Sequence, residues 1–517
     1  MKNLILFWLV VSISSNMALA RKKQNPDQDA AHSSCSRKLV PFAQFDPITH
    51  EYQGLTQEGI TALKQVRDVL RSRKKLFENE FMKMSTFYHM AEVARMYKSH
   101  VLLYGPGGGA KSKFVDWFLD NDVETPFKLL MHQMVPESVL NGGQDFEAAK
   151  RGEYEVNIKG SLADHAIAVI DEADQGTPAV FASLFKLLEQ NPKVWAGKTI
   201  QPAKVETVFF TLNANLNELQ QTFVEQGMGP KFQPLMNRLP FKGMVYNWLD
   251  KTQRAKLHER VQKKRELLAA AKENPSALKN EIFVEPPKLD ESTVRRLAQS
   301  MFRLDSYANN IYLNLIEEMR SKTNTEIKES EERHRTSPLD EPFVYFPSAD
   351  YTTRLDLQIP EIIIDSAFID FLLSPLADDE RIERFTKKKI ELNPLSLWRS
   401  FLVLTTAGAG DARLVIDKED KVDIDFDWKI DSSSARDSRE KKLIENLQAE
   451  QMRFKSTFSQ LMQTAKTSMR DRASNAAKTQ KGKSTEIESE KDLFANDAFE
   501  SLLYWSNPKQ SSESETE

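Results

Sequence analysis

The chain has 517 residues, 71 of them basic and 75 acidic, a net charge of −4 and one cysteine. At about 100–200 residues per domain this allows roughly two to four domains. The single cysteine excludes an intramolecular disulfide framework and a cysteine-rich metal site, and the near-balanced charge excludes nucleic-acid binding by bulk charge.

Residues 1–20, MKNLILFWLVVSISSNMALA, place Lys2 before an apolar run and end in Ala18-Leu19-Ala20, the layout of a cleavable signal peptide. The run is short for a membrane span, which takes about 20 apolar residues. The expectation is an exported soluble body, periplasmic or secreted. The alternative is a cytoplasmic or anchored chain, with membrane contact only through this segment. Residues 21–54, with Pro26, Pro41 and Pro47, read as a linker. From Thr56 to Phe77, Ile60, Leu63, Val66, Val69 and Leu70 recur at helical spacing. Three short apolar runs follow: Val101–Tyr104, Ala166–Ile170 and Val208–Leu212, separated by helical segments. Strands alternating with helices predict an α/β fold with a parallel sheet flanked by helices. Residues 251–284 form a basic helical connector. Further helix is expected at 288–320, a charged insertion at 321–343 and helical pattern again over 350–405. Residues 411–472 read as a β-hairpin, with Val422, Ile424 and Phe426 alternating, then a polar helix. Residues 473–517 form a disordered acidic tail with one apolar patch, Phe499–Trp505.

Gly105-Pro106-Gly107-Gly108-Gly109-Ala110-Lys111-Ser112 lies between the first apolar run and a helix, the context of a phosphate-binding loop. Glycines let backbone N–H groups converge on phosphate oxygens, and the helix N-terminus adds positive potential. Lys111 is placed for the β- and γ-phosphates of ATP, and Ser112 for Mg2+. The usual glycine before the lysine is Ala110 here. Asp171 and Glu172 form an acidic pair at the end of an apolar strand, Asp171 suited to Mg2+ and Glu172 to activating water as general base. Many strands end in acidic residues for solubility alone, so this pair takes its meaning from the loop. Asn213 could orient the water; Asn215 competes for that role, and either could simply cap a turn. Arg238 is a candidate arginine finger, although a lone arginine after a polar loop is more often a surface residue.

These residues carry a family resemblance over roughly 55–405: the chain resembles MoxR-type AAA+ ATPases, and within them the RavA branch. Ala110 before the lysine is familiar in that branch. Leu130–Val139 resembles its stretch after the second strand. Ile170-Asp171-Glu172-Ala173-Asp174 with Thr177-Pro178-Ala179 resembles the Walker B strand and following helix, and Leu235-Met236-Asn237-Arg238-Leu239 the motif holding the arginine finger. The resemblance implies an AAA+ domain at 55–250 and an α-helical lid domain at 285–410. It also implies a sensor 2 arginine at Arg354, which the helix-breaking Pro360 puts in doubt. It implies a substrate-facing helix 2 insert from Gly152 to Asp164 and a hairpin around Trp195–Lys198 before sensor 1. A finger acts only on a neighbour, so a homo-oligomeric ring, a hexamer in such ATPases, follows. The chain after residue 410 departs from the family's own C-terminal modules.

The histidines His50, His89, His100 and His132 are scattered, and Asp423, Asp425 and Asp427 lack the glycine and terminal glutamate of a calcium loop. Three functions compete. The preferred one is an ATP-driven, chaperone-like remodeller of client proteins that the sequence does not identify. The second is a nucleotide-gated scaffold with little turnover. The third is a nucleic-acid motor of the same clade, against which the net charge counts.

Overall fold

The computed structural model describes residues 42–45, 52–120, 125–196, 199–213, 216–245, 251–273, 290–304, 353–374 and 377–379. It also describes 390–392, 412–416, 422–426 and 455–460, with isolated positions between 313 and 463. The signal-like segment, Asn215, the charged insertion and the acidic tail lie outside these residues.

The elements run in chain order. A strand pair, β1 (Ala43–Phe45) and β2 (Tyr52–Leu55), leads into α1 (Gln57–Glu80) and α2 (Ser85–Tyr97). β3 (Val101–Tyr104), α3 (Lys111–Asp120) and β4 (Phe127–Leu130) follow. Next come α4 (Glu137–Asn141), β5 (Gly143–Gln144), α5 (Phe146–Lys150) and β6 (Val156–Asn157), the last within the expected insert Gly152 to Asp164. The chain continues through β7 (Ile167–Asp171), α6 (Pro178–Leu184), a hairpin β8 (Lys193–Ala196) and β9 (Thr199–Pro202), then β10 (Thr207–Thr211). After α7 (Leu216–Glu225), α8 (Gly229–Met236) and β11 (Phe241–Met244) come α9 (Lys251–Glu273), α10 (Glu291–Met301) and β12 (Phe302–Leu304). Last are α11 (Thr353–Leu373), β13 (Ile390–Leu392) and the pair β14 (Ala412–Ile416) and β15 (Val422–Phe426).

The expected α/β class holds: five parallel strands form one sheet in the order β11-β3-β10-β7-β4. Successive residues point to opposite faces, and both faces are covered. Val101, Leu103, Ile167, Val169 and Phe209 join one core with α1, α2, α3, α10 and α11. Leu102, Tyr104, Ala168, Ile170, Val208 and Phe210 join the other, with side chains from α4, α6, α7 and α8. Burial on both faces is why these strands read as unbroken apolar runs.

α1 starts where Thr56 Oγ1 accepts from Gly59 N–H at 3.0 Å, an N-cap that contributes about 1 kcal/mol. It presents Leu63, Val66, Leu70 and Phe77 to the core. The end of α11 leaves carbonyls without helical partners. Arg71 of α1 covers them, donating to Leu372 O at 3.0 Å and to Ser374 O, while Arg67 donates to Ala377 O at 3.0 Å. Helix α11 therefore shares a core and a hydrogen-bonded seam with α1.

Several expectations change. The stretch read as a linker ends in structure: β1 and β2 pair antiparallel, and Ala43 and Leu55 bury against α1. The helix expected over 288–320 stops at Met301, where β12 begins and pairs in parallel with β13. Strand β11 carried no apolar run, because Lys242 and Gly243 interrupt it. Gly243 is required there, since a Cβ would stand 2.6 Å from Phe87 Cε1. α11 continues through Pro360. The β14–β15 pair is the expected hairpin, and the described residues between 438 and 463 are helical. Among the described residues no helix is long and apolar enough to cross a membrane, and no cluster suits a metal ion by ligand count.

One buried carboxyl gives the fold a pH dependence. Asp365 on α11 is 1% exposed, faces Arg295 of α10 with Oδ2 4.0 Å from its Nε, and lies near Glu361, which pairs with the same arginine. Burial pushes its pKa up to about 7, with Arg295 opposing and Glu361 adding to the rise. A folded pKa above the unfolded one stabilises at low pH, and that contribution is lost as pH rises from about 4 through 7. We expect the urea midpoint to fall across this window and Asp365→Asn to flatten the fall. An unchanged slope in the variant would assign it to other groups.

Candidate functional site

The site forms where β10 lies between β3 and β7, with Phe209 opposite Val101 on one side and Phe210 opposite Ile170 on the other. This levels the C-terminal ends of three parallel strands, where open α/β sheets bind ligands. The phosphate loop follows β3, Asp171 and Glu172 end β7, and Thr211 and Asn213 end β10.

The loop needs its first glycine for two reasons. Gly105 has φ +128°, and a Cβ there would stand 2.4 Å from Val245 O, where the chain leaving β11 passes. Gly108 has φ +84°, and an added Cβ at Gly107 or Gly108 would meet nothing within 4 Å. The outer side of the loop is therefore open beside the N-terminus of α3. Ala110, the departure noted in the sequence, sits at φ +64°. A residue with a Cβ costs roughly 1–2 kcal/mol in that region, which is why glycine is the commoner solution.

Lys111 folds back over the loop, its Nζ donating to Gly105 O at 2.8 Å and Pro106 O at 2.9 Å. It is 5% exposed, and burial lowers its pKa, with Asp174 and Asp171 pulling the other way. Ser112 Oγ donates to Asp171 Oδ1 at 2.8 Å, so the two expected metal residues already touch. The amide of Asn213 reaches Glu172 Oε1 at 3.4 Å, and the Asn213 N–H donates to Asp174 Oδ1 at 3.1 Å. Loop, lysine, serine, both carboxylates and Asn213 thus converge. The oxygens of Ser112 and Asp171 form a hard donor set of the kind Mg2+ takes with phosphates, and the open amide-lined loop suits a polyphosphate.

Beside the loop is a cavity of about 270 Å3. Apolar Phe81, Met82, Met84, Leu257 and Val261 line it beside the loop residues Gly108 to Ala110, and Glu80, Lys83, Lys113, Arg254 and His258 add polar and charged edges. Apolar on two sides and adjoining the phosphate loop, it suits a planar base. The basic helix α9 therefore faces the loop along one side, and its Arg260 donates to Glu78 O at 3.1 Å.

Arg238 is not brought to this chain's own loop. Its guanidinium donates to Pro234 O at 2.7 Å, Phe185 O at 3.1 Å and Glu189 Oε1 at 3.2 Å, and lies over the Phe185 ring. Arg354 is the second residue of α11. The expected insert, Gly152 to Asp164, and the β8–β9 hairpin pack together through β6 and β8, and both expose aromatic side chains: Tyr154 is 57% exposed and Trp195 58%. Sequence reasoning missed Thr211, whose hydroxyl donates to Asp171, and the partners of Arg238. A threonine closing a strand carries no signal beyond ordinary β preference.

Residues 64–221 match the family profile of the MoxR domain in the MoxR-vWA-beta-propeller ternary systems. That span runs from α1 into α7. It takes in the loop, Asp171, Glu172, Thr211 and Asn213, and leaves out Arg238 and Arg354. No curated protein matches the chain in sequence. A solved candidate ATPase from Cytophaga hutchinsonii aligns over 68% of this chain and 89% of its own, at 15% identity and a TM-score of 0.44, too loose a likeness to carry an argument.

The two kinds of loop glycine predict different failures. Gly105→Ala should destabilise the fold, because the new Cβ strikes main chain and φ is unsuited to it. Gly107→Ala should leave the melting temperature within about 2 °C and weaken binding of a fluorescent ATP analogue instead. Equal melting losses in both variants would contradict this.

Proposed function

We propose that the chain is an AAA+ ATPase of MoxR type, nearest the RavA branch, which binds ATP with Mg2+ and uses its hydrolysis to remodel client proteins. The observation that carries this is the meeting of Lys111, Ser112, Asp171, Glu172 and Asn213 at the ends of three adjacent parallel strands, within the span that matches the MoxR domain.

Each group has a definite task in this reading. The loop amides and the N-terminus of α3 hold the phosphates, and Lys111 exchanges two carbonyl partners for phosphate oxygens. Ser112 and Asp171 would hold Mg2+, which when bound would supply charge neutralisation at the phosphates. Glu172 takes a proton from the attacking water, and Asn213 orients the Glu172 carboxylate. The cavity between Phe81 and α9 takes the base. Arg238, held away from its own loop, serves a neighbour in a homo-oligomeric ring, hexameric by resemblance. Arg354 at the start of α11 reports nucleotide state through the lid. The exposed Tyr154 of the insert and Trp195 of the hairpin face the client. The family profile's own description suggests a partner with a vWA domain.

A second reading, a nucleotide-gated scaffold with little turnover, draws on one observation: three guanidinium contacts of Arg238 are engaged inside its own chain. Phosphate release decides between them. Lys111→Ala and Glu172→Gln should each lower ATP turnover by roughly a hundredfold. Wild-type turnover no higher than in these variants would sink the ATPase. ATP-dependent assembly without phosphate release would favour the scaffold, and stimulation by DNA or RNA would reinstate the motor.

The compartment is proposed from the signal layout alone: export with a mature start at Arg21. N-terminal sequencing of a C-terminally tagged chain from fractionated cells checks this. An uncleaved chain in the cytoplasmic fraction would place the enzyme where ATP is abundant instead.

A further inference from the structure

We propose that Thr211 is a positioning residue of the hydrolytic site, whose one hydroxyl ties the carboxylate of Asp171 to the backbone of Glu172 and so sets where the Glu172 side chain points. The inference rests on the ATPase reading above.

Thr211 closes β10, is 2% exposed and stands opposite Leu103 of β3. Its Oγ1 donates to Asp171 Oδ1 and accepts from Glu172 N–H at 3.2 Å. A hydroxyl offers one donor hydrogen and two lone pairs. Here the donor goes to the metal-side residue, and a lone pair takes the main chain of the proposed base. The same Asp171 oxygen also receives the Ser112 hydroxyl, so α3 and β10 both hold that carboxylate.

The backbone of Glu172 explains why such a tie is needed. Its φ of +50° and ψ of +43° lie in the left-handed region, which a residue with a Cβ adopts only when its surroundings hold it there. The bond from Glu172 N–H to Thr211 is one hold. The second is the bond from Asn213 N–H to Asp174 Oδ1. The end of β10 thus grips the turn after β7 at two points, two residues apart. Between these points Glu172 is directed so that its Oε1 meets the Asn213 amide. Without the Thr211 bond the turn can relax, and the carboxylate loses its bearing on the water while the loop that binds phosphate is untouched.

A buried threonine that merely fills space predicts lost stability and nothing else. Positioning predicts a separation of kcat from binding. Valine keeps the shape and removes both bonds; serine keeps both bonds and removes a methyl. In the full chain, with Lys111→Ala as the inactive reference, Thr211→Val should lower kcat roughly tenfold or more. Affinity for a fluorescent ATP analogue should stay within about twofold, and the Mg2+ concentration for half-maximal rate should rise. Thr211→Ser should restore kcat to within roughly threefold of wild type. If Thr211→Val fails to fold, Thr211→Cys, similar in size with a weak donor, takes its place and should show the same split. A folded variant with wild-type kcat, or one that loses binding and stability at unchanged kcat, overturns the inference and leaves the ATPase intact. A wild-type chain no faster than Lys111→Ala overturns both.

Discussion

The candidate site depends on one constraint, the return of β10 to lie between β3 and β7. The chain leaves β3, crosses to β4 at the edge of the sheet, and works back through β7 to β10 before passing to β11 on the other side. The strand order therefore reverses at β3, and a crevice opens above its C-terminal end, where ligands bind in open parallel sheets. Had β10 added outside β4, Asn213 and Thr211 would stand several strands from the loop. Because strand spacing is about 4.8 Å, one position in strand order decides whether Ser112 and Thr211 can both bond Asp171 and whether Asn213 can reach Glu172.

The loop also needs a rigid seat, and the aromatic residues beneath α3 provide it. Phe77 of α1 stacks on Phe81 at 5.0 Å and lies 4.8 Å from Tyr88 of α2 and 5.8 Å from Phe114 of α3. Burying a large apolar side chain stabilises by about 1.5–3 kcal/mol, and aromatic pairs add geometric preference. The helix that begins with Lys111 is thereby fixed to α1 and α2. α1 in turn is fixed to α11 by Arg67 and Arg71. Phe81 and Met84 belong to the same core and also wall the cavity beside the loop, so core packing and base-sized space share residues.

What could be read in advance follows from the same physics. β3, β7 and β10 were legible because burial on both faces makes them continuous apolar runs. The loop and the acidic pair were legible because phosphate and metal chemistry restrict residue type as well as spacing. β11 was illegible: Lys242 is 4% exposed, a buried lysine that reads as surface in any window of sequence, and Gly243 reads as a turn. The strand pair before α1 was hidden by the prolines around it. Thr211 was hidden because its role is relational. Nothing in Thr-Leu-Asn shows that the hydroxyl meets a carboxylate 40 positions away in sequence.

Arg238 stands apart from the rest of the candidate site. The loop, Ser112, Asp171, Glu172 and Asn213 converge within one chain, whereas the arginine that the proposed ring would set opposite a neighbour's phosphates is bound to Glu189 and to the Phe185 and Pro234 carbonyls. A guanidinium with 17% side-chain exposure and an aromatic ring beneath it is held in a defined direction, not left to sample solvent. Glu189 and Phe185 lie just after α6, the helix that follows the turn carrying Glu172. In the proposed ring, the segment that aims the arginine at a neighbour is thus continuous in sequence with the segment that aims Glu172 at water. Glu172 and the partners of Arg238 stand at the two ends of one short stretch, Glu172 to Glu189, with α6 between them.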